Sequence, residues 1–230
     1  MQSGIRIKTL LFCPELINEE NEQKLINRLI NNAEHSYIIS KKVCKRISDR
    51  DGPEGCFLIC KLPKHSLSSI KIDENSIVII LDELEKPGNI GTIIRSADAA
   101  GVDAVIICNS RVKLNHHRLI KASMGSCFKI PVVEADMNVL LRWLKGNSFR
   151  ILLTDLQATK NCYEADYSGR IAIVAGNEIR GISETWCKHE CERIIIPMFG
   201  SADSLNVGFA ASLIAYEAAV VKRKIRRWQL

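Results

Sequence analysis

The sequence predicts an α/β chain: a mainly parallel sheet with helices on both faces, preceded by a smaller α/β section. Three observations carry this. Short continuous apolar runs at 77–81, 104–108 and 171–174 lack polar alternation, as strands buried on both faces do. Stretches of helical period lie between most of them, the rhythm of parallel strands joined by crossovers. Gly-containing polar loops follow three of the strand-like runs, at the edge where open α/β sheets place their ligand sites.

Residues 5–12 read as a strand, and over 19–33 Leu25, Ile26, Leu29 and Ile30 recur at helical spacing. A short strand is expected at 37–39, a short helix at 41–47, a polar turn at 48–55 and a strand at 56–60. This section, residues 1–62, has its own α/β rhythm. Pro63 and the Ser-rich residues after it open a linker over 63–75. The main section, 76–230, then runs strand 77–81, helix 90–100, strand 104–108, short helix 114–122 and strand 129–133. Helix 137–145, strands 149–154 and 171–174, a short helix 183–188, strand 193–196 and helix 206–225 complete it. In the last helix Leu213, Ile214, Tyr216, Ala218, Val220 and Val221 point in several directions. That is more apolar surface than one sheet face needs, and it predicts a homodimer unless the first section covers the surplus face.

With 47% hydrophobic and 25% charged residues the chain has globular composition, and no apolar run approaches the roughly 20 residues of a membrane span. The first residues carry no signal-peptide pattern, so a cytoplasmic protein is expected. The nine cysteines, odd in number and scattered, read as buried thiols. Cys187, His189 and Cys191 lack a C-x-x-C pair and a second ligand pair, so no metal site is expected. His116 and His117 fit a solvated helix start. Net charge is +6, compatible with nucleic acid. The basic cluster at 222–227 serves either the negative end of the last helix or RNA phosphate.

The most informative loop is Ile196-Pro197-Met198-Phe199-Gly200-Ser201-Ala202-Asp203-Ser204-Leu205-Asn206-Val207, between a strand and the last helix. Unpaired N–H groups at a helix start can hold a polar ligand, though Ser204 or Asn206 could equally be an ordinary N-cap. Two other loops share its position at a strand end. One is Asn89-Ile90-Gly91-Thr92-Ile93-Ile94-Arg95-Ser96-Ala97, the other Gly176-Asn177-Glu178-Ile179-Arg180-Gly181-Ile182.

Together these segments resemble the three motifs of the SpoU-type RNA ribose 2′-O-methyltransferases, a branch of the SPOUT superfamily. The matches are N-x-G-x-x-x-R-S-A at 89–97, G-N-E-x-x-G-I at 176–182 and I-P-M-x-G-x-x-x-S-L-N-V at 196–207. Their order and separations fit from about Ser76 onward, and the chain looks most similar to the thiostrepton-resistance and ribosomal RNA methyltransferase group. The resemblance implies a C-terminal deep trefoil knot and S-adenosylmethionine bound at Gly176, Ile196 and Leu205, with Thr154 as a further contact. It implies pairing of two subunits through the last helix and an RNA substrate, ribosomal or transfer RNA. Residues 1–62 are similar to the later part of a small RNA substrate-binding domain lacking its first elements.

Five residues are carried over as catalytic. Arg95 is placed against the ribose 2′-hydroxyl; since a guanidinium stays protonated, binding phosphate or polarising the hydroxyl suits it better than acting as a base. An ion pair with Asp98 is its ordinary alternative. Asn89 can cap its helix or touch the nucleotide, and Glu178 can hold Arg95 or the loop, or pair with Arg180. Ser204 and Asn206 position the hydroxyl and fasten the loop. A nicotinamide-binding dehydrogenase is disfavoured because Gly88-Asn89-Ile90-Gly91 lacks the G-x-G-x-x-G order. A non-catalytic RNA-binding protein of the same fold is the remaining alternative.

Overall fold

A computed structural model describes residues 5–48 and 54–223. The chain divides into two compact units, Met1–Pro63 and Lys64–Leu230.

The first unit is built from β1 (Ile7–Phe12), α1 (Glu20–Asn32), β2 (Ala33–Ile38), α2 (Lys41–Ile47) and β3 (Cys56–Cys60). Its three strands lie in the order β2-β1-β3, with β2 parallel and β3 antiparallel to β1. Ile7 and Leu10 from the sheet meet Ile26 and Leu29 from α1 in a small core. The helix begins where the Glu22 carboxyl group accepts the N–H groups of Asn18 and Glu19 at 3.1 and 3.3 Å. β2 is longer than the expected 37–39. Its first residues have weak strand propensity, but main-chain pairing with β1 from Ala33 onward extends it. Residues 49–53 of the expected turn lie outside the described residues.

The second unit holds β4 (Ile77–Asp82), α3 (Pro87–Ala100), β5 (Ala104–Cys108), α4 (His117–Ala122), β6 (Val132–Glu134), α5 (Met137–Gly146), β7 (Arg150–Thr154), β8 (Ile171–Ala175), β9 (Glu192–Ile194) and α6 (Val207–Lys222). Its six strands form one parallel sheet in the order β6-β5-β4-β8-β7-β9. Every residue of β4, β5 and β8 is buried, which is why their sequences are continuous apolar runs. Strand alternation sends Ile79 and Leu81 to a layer with Ile90, Ile93 and Ile94 of α3 and Ile214 of α6. Val78 and Ile80 go to the opposite layer, with Leu140 and Leu144 of α5. Chain order runs outward from β4 through β5 to β6, then re-enters on the far side with β7 and β8. The β4/β8 boundary is therefore the switch point of the sheet.

Several boundaries differ from the expected ones, each for a physical reason. α3 starts at Pro87 instead of 90, because proline suits the first helical position. α4 starts at His117 instead of 114, behind His116, whose Nδ1 accepts the Arg118 N–H at 3.2 Å. β6 occupies 132–134 instead of 129–133, because Ser126–Phe128 forms a tight turn that takes Lys129 with it. The expected helix at 183–188 is one 3-10 turn, Trp186–Lys188. β9 ends at Ile194, and Ile195 continues only as a bridge to Asn161. The stretch 63–75 reads as a linker, yet Leu67 and Ile70 are buried among residues of the sheet and α5. Among the described residues no helix is long and apolar enough to cross a membrane. All nine cysteines are unpaired thiols; five are buried, and Cys187 is exposed.

Gly91 is needed because α4 crosses α3 at that point. A Cβ there would lie 2.4 Å from the Leu119 carbonyl oxygen and 2.7 Å from the Ala122 Cβ. We expect Gly91→Ala to destabilise the fold by about 1–3 kcal/mol in urea unfolding, while Gly88→Ala, which meets nothing within 4 Å, stays within about 0.5 kcal/mol.

Candidate active site

The carboxyl ends of the parallel strands share one edge, so the loops after β4, β7, β8 and β9 converge there. A cleft of about 660 Å³ opens beside β8, β7 and β9. Thr154, Gly176, Glu178, Ile196, Ser204, Leu205 and Asn206 all line it. Asn89 and Arg95 do not.

Asn89 is nevertheless joined to the lining. Asn206 caps α6, its Oδ1 accepting the Gly208 N–H at 2.9 Å. That leaves Asn206 Nδ2 to donate to Asn89 Oδ1 at 3.3 Å, and Asn89 Nδ2 to donate to Glu178 Oε1 at 2.7 Å. The polarity is consistent throughout, since each amide uses its oxygen as acceptor and its nitrogen as donor. Three loops far apart in the chain are tied by this relay. Asn89 sits inside the first turn of α3 and spends its side chain across loops instead of capping its own helix. Arg180 pairs with Glu83 at 3.2 Å and Glu85 at 3.0 Å, and Glu178 is left for Asn89. Arg95 is exposed on α3 and has no ion pair or hydrogen bond among the described residues, Asp98 included.

The remaining lining is mixed. Thr154 Oγ1 donates to the Val174 carbonyl at 3.0 Å and so braces β7 against β8. Gly176 is crowded: a Cβ would fall 2.4 Å from the Gly181 carbonyl oxygen, across the tight pairing of Asn177 with Gly181. Among the described residues the main-chain groups of Ile196 and Leu205 carry no hydrogen bond. Asp155, Gln157 and Arg193 also line the cleft and lie outside the three motif segments, and Met198 of the third segment lines it too. Asp155, directly after β7, was findable from its place at a strand end. It pairs with Arg193, whose Nη2 also lies 3.0 Å from Cys187 Sγ. Among the described residues no group of three or more His, Cys, Asp or Glu is arranged to hold a metal.

The residue that positions the site is Asp82, which the motifs do not mark out. Its side chain is 0% exposed at the end of β4. The carboxyl group accepts Trp186 Nε1–H at 3.0 Å, Ser183 N–H at 3.1 Å and Asn109 Nδ2–H at 3.1 Å. Cys108 Sγ lies 3.6 Å away, and burial with this neighbour pushes the Cys108 thiol pKa far up. Asp82→Ala strands the buried indole and amide donors, so we expect a loss of about 2–5 kcal/mol in urea unfolding. Asp82→Asn, which keeps one acceptor, should fall between that variant and the native protein.

The SpoU rRNA Methylase family model matches residues 76–216. The chain is 29% identical over 180 residues to the 23S rRNA (guanosine(2553)-2′-O)-methyltransferase RlmP of Bacillus subtilis, covering 78% of this chain and 71% of that protein. It superposes with TM-score 0.87 and 25% identity on the SpoU methyltransferase AviRb of Streptomyces viridochromogenes, solved in complex with AdoMet, over 98% of this chain and 86% of that one. A crystal structure of an RNA 2′-O ribose methyltransferase gives TM-score 0.83 and 32% identity, covering 97% of this chain and 84% of that one. With the family model covering more than half of its length, the chain belongs to the SpoU rRNA Methylase family.

Proposed function

We propose that the protein is an S-adenosylmethionine-dependent RNA methyltransferase that methylates a ribose 2′-hydroxyl, with ribosomal RNA as substrate. The observation that carries this is the Glu178–Asn89–Asn206 relay at the rim of the cleft. It joins the three segments the family motifs occupy, where a plain strand–loop–helix junction would need only a local cap.

The cleft fits the cofactor in size and chemistry. Sites for such ligands run from roughly 300 to 1,000 Å³ and combine apolar walls with a few polar groups. Here Ile196, Leu205 and Ile214 supply apolar surface, and the free main-chain groups of Ile196 and Leu205 supply donors and acceptors. Gly176, Ile196 and Leu205 would hold the group, with Thr154 fixing the wall behind it. When bound, S-adenosylmethionine supplies an electrophilic methyl group. The protein's part is to align the ribose, exclude water and ease loss of the hydroxyl proton. Arg95, always protonated, serves by donating to the phosphate or the hydroxyl oxygen. Glu178 and Asn206 hold Asn89 and the loop carrying Ser204 in register, and Ser204, exposed and without a hydrogen bond among the described residues, is available to the hydroxyl. The trefoil knot and a cytoplasmic location belong to this proposal.

The family reading also proposes a homodimer. Phe209, Leu213, Tyr216 and Val221 of α6 are exposed, although Ala211, Ile214, Ala215 and Ala218 of the same helix are buried. Positions 209, 213 and 216 follow helical spacing, so they form a stripe on the face turned away from the sheet.

Two outcomes are expected. Arg95→Ala should lower methyl transfer to protein-free ribosomal RNA by about 10²-fold or more and leave S-adenosylmethionine affinity in calorimetry within a few-fold. Equal loss of cofactor binding would make Arg95 a structural residue, and transfer to transfer RNA alone would change the substrate. Light scattering at micromolar concentration should give a dimer that Leu213→Glu with Tyr216→Glu converts to monomer. A native monomer that still methylates RNA would remove the shared-helix picture.

A further inference from the structure

We infer that the segment from Arg111 to Lys121 is a phosphate-docking surface for the RNA strand whose ribose enters the cleft. The inference rests on the methyltransferase reading and says where on the catalytic unit the substrate backbone lies.

Between Asp103 and Glu134 the chain passes through residues 104–133 without a single carboxylate, while carrying Arg111, Lys113, Arg118, Lys121 and Lys129. A charge run is usually a solvated face, so the run alone decides nothing. Its surroundings do. Arg111, Lys113, Arg118 and Lys121 are exposed, and none of their side chains has an ion pair or hydrogen bond among the described residues. Elsewhere in the same unit Arg150, Lys160, Arg180 and Arg193 each have a carboxylate partner, while Lys86, Arg95, Arg142 and Lys145 are exposed with none among the described residues. What sets this segment apart is four such cations within one short, carboxylate-free stretch.

The backbone beneath these cations is already fixed. Val112, Leu114 and Ile120 alternate with them and pack against the core, which also holds Leu119. Ser110 Oγ donates to the Leu84 carbonyl at 2.8 Å and accepts the Val112 N–H at 3.1 Å. His116 caps α4. The segment thus presents its charges without a further main-chain ordering cost on binding.

Its position is the third point. The segment leaves β5 at the carboxyl edge of the sheet, and Asn109, just before it, is bonded to Asp82. α4 then crosses α3 at Gly91, two residues after Asn89 and one helical turn before Arg95. The free cations therefore flank the helix that carries both candidate catalytic residues of the first motif. Unpaired cations on a fixed backbone beside a ribose-acceptor site suit a row of phosphodiesters, which they bind by point charge and counterion release without reading bases.

The test is the salt dependence of binding to protein-free ribosomal RNA, native protein against the variant Arg111→Gln, Lys113→Gln, Arg118→Gln and Lys121→Gln. Four lost phosphate contacts should lower the slope of log affinity against log salt by about 2–3 and weaken binding on the order of 10²-fold at 0.1 M salt. Cofactor affinity and thermal unfolding should stay unchanged. The pairs Arg111→Gln with Lys113→Gln, and Arg118→Gln with Lys121→Gln, should each give about half of the slope change. An unchanged slope and affinity in a protein that methylates RNA overturns the docking surface and leaves the activity standing. The expected slope change in a native protein that transfers no methyl group to any RNA overturns the activity and leaves the surface standing.

Discussion

Asp82 is the constraint on which the rest of the site depends. A carboxyl group cut off from water must find its hydrogen-bond partners inside the protein, and each missing partner costs about 1–3 kcal/mol. Its donors come from two directions: Asn109 after β5, and Ser183 and Trp186 beyond the β8 loop. One group at the end of the central strand thereby sets where two loops stand relative to each other. The next residue continues the effect. Glu83 adopts a left-handed φ of 58°, and its carbonyl accepts Asn177 Nδ2–H at 2.9 Å. Asn177 is buried, and its Oδ1 accepts the N–H groups of Ile179 and Arg180, which bends the loop around Glu178. Glu178 then meets Asn89, and Asn89 meets Asn206.

The sheet explains why such a chain of contacts can exist at all. Parallel strands covered on both faces leave only their two edges for polar loops. The amino edge is closed by bonds such as Asp103 Oδ2 accepting the Ile77 N–H at 2.8 Å and Ser76 Oγ accepting the Asp73 N–H at 2.8 Å. At the carboxyl edge the cleft forms among the loops after β8, β7 and β9, on the β8 side of the switch point. Close approach of α3 to α4 at Gly91, and of α3 to α6 at Gly208, brings the helix starts near this edge. At Gly208 a Cβ would sit 3.0 Å from Asn206 Oδ1 and 3.4 Å from Thr92.

Legibility in the sequence followed the strength of local physics. The strands at 77–82, 104–108 and 171–175 were readable because five or six consecutive buried positions leave an unbroken apolar run. Helix α5 was readable from its period, and the structure fixes its start at Asp136, whose carboxyl group accepts the N–H groups of Asn138 and Val139. The short elements were not. Whether 183–188 forms a helix depends on where Trp186 finds a partner for its indole N–H, and that partner lies over 100 residues away. Leu67 and Ile70 are two apolar residues in a serine-rich stretch, and only the shape of the sheet beneath them determines that they are buried.

The site divides in the same way. The sequence by itself determined which loops matter, because Gly, Asn, Glu and Ser at successive strand ends are a local chemical pattern. It also determined the family, since the order of three such loops is a property of the chain alone. Tertiary structure decided what each side chain does. Asn89 has the chemistry of a cap and of a cross-loop bridge, and only the arrival of Glu178 and Asn206 selects the bridge. Arg180 and Glu178 are two residues apart, yet the fold gives Arg180 to Glu83 and Glu85. Asp82 looks like the polar end of a strand until burial makes its acceptors the anchor of two loops. Hydrogen bonds between distant residues depend on distances that no local pattern encodes, whereas apolar runs and loop composition are written residue by residue along the chain.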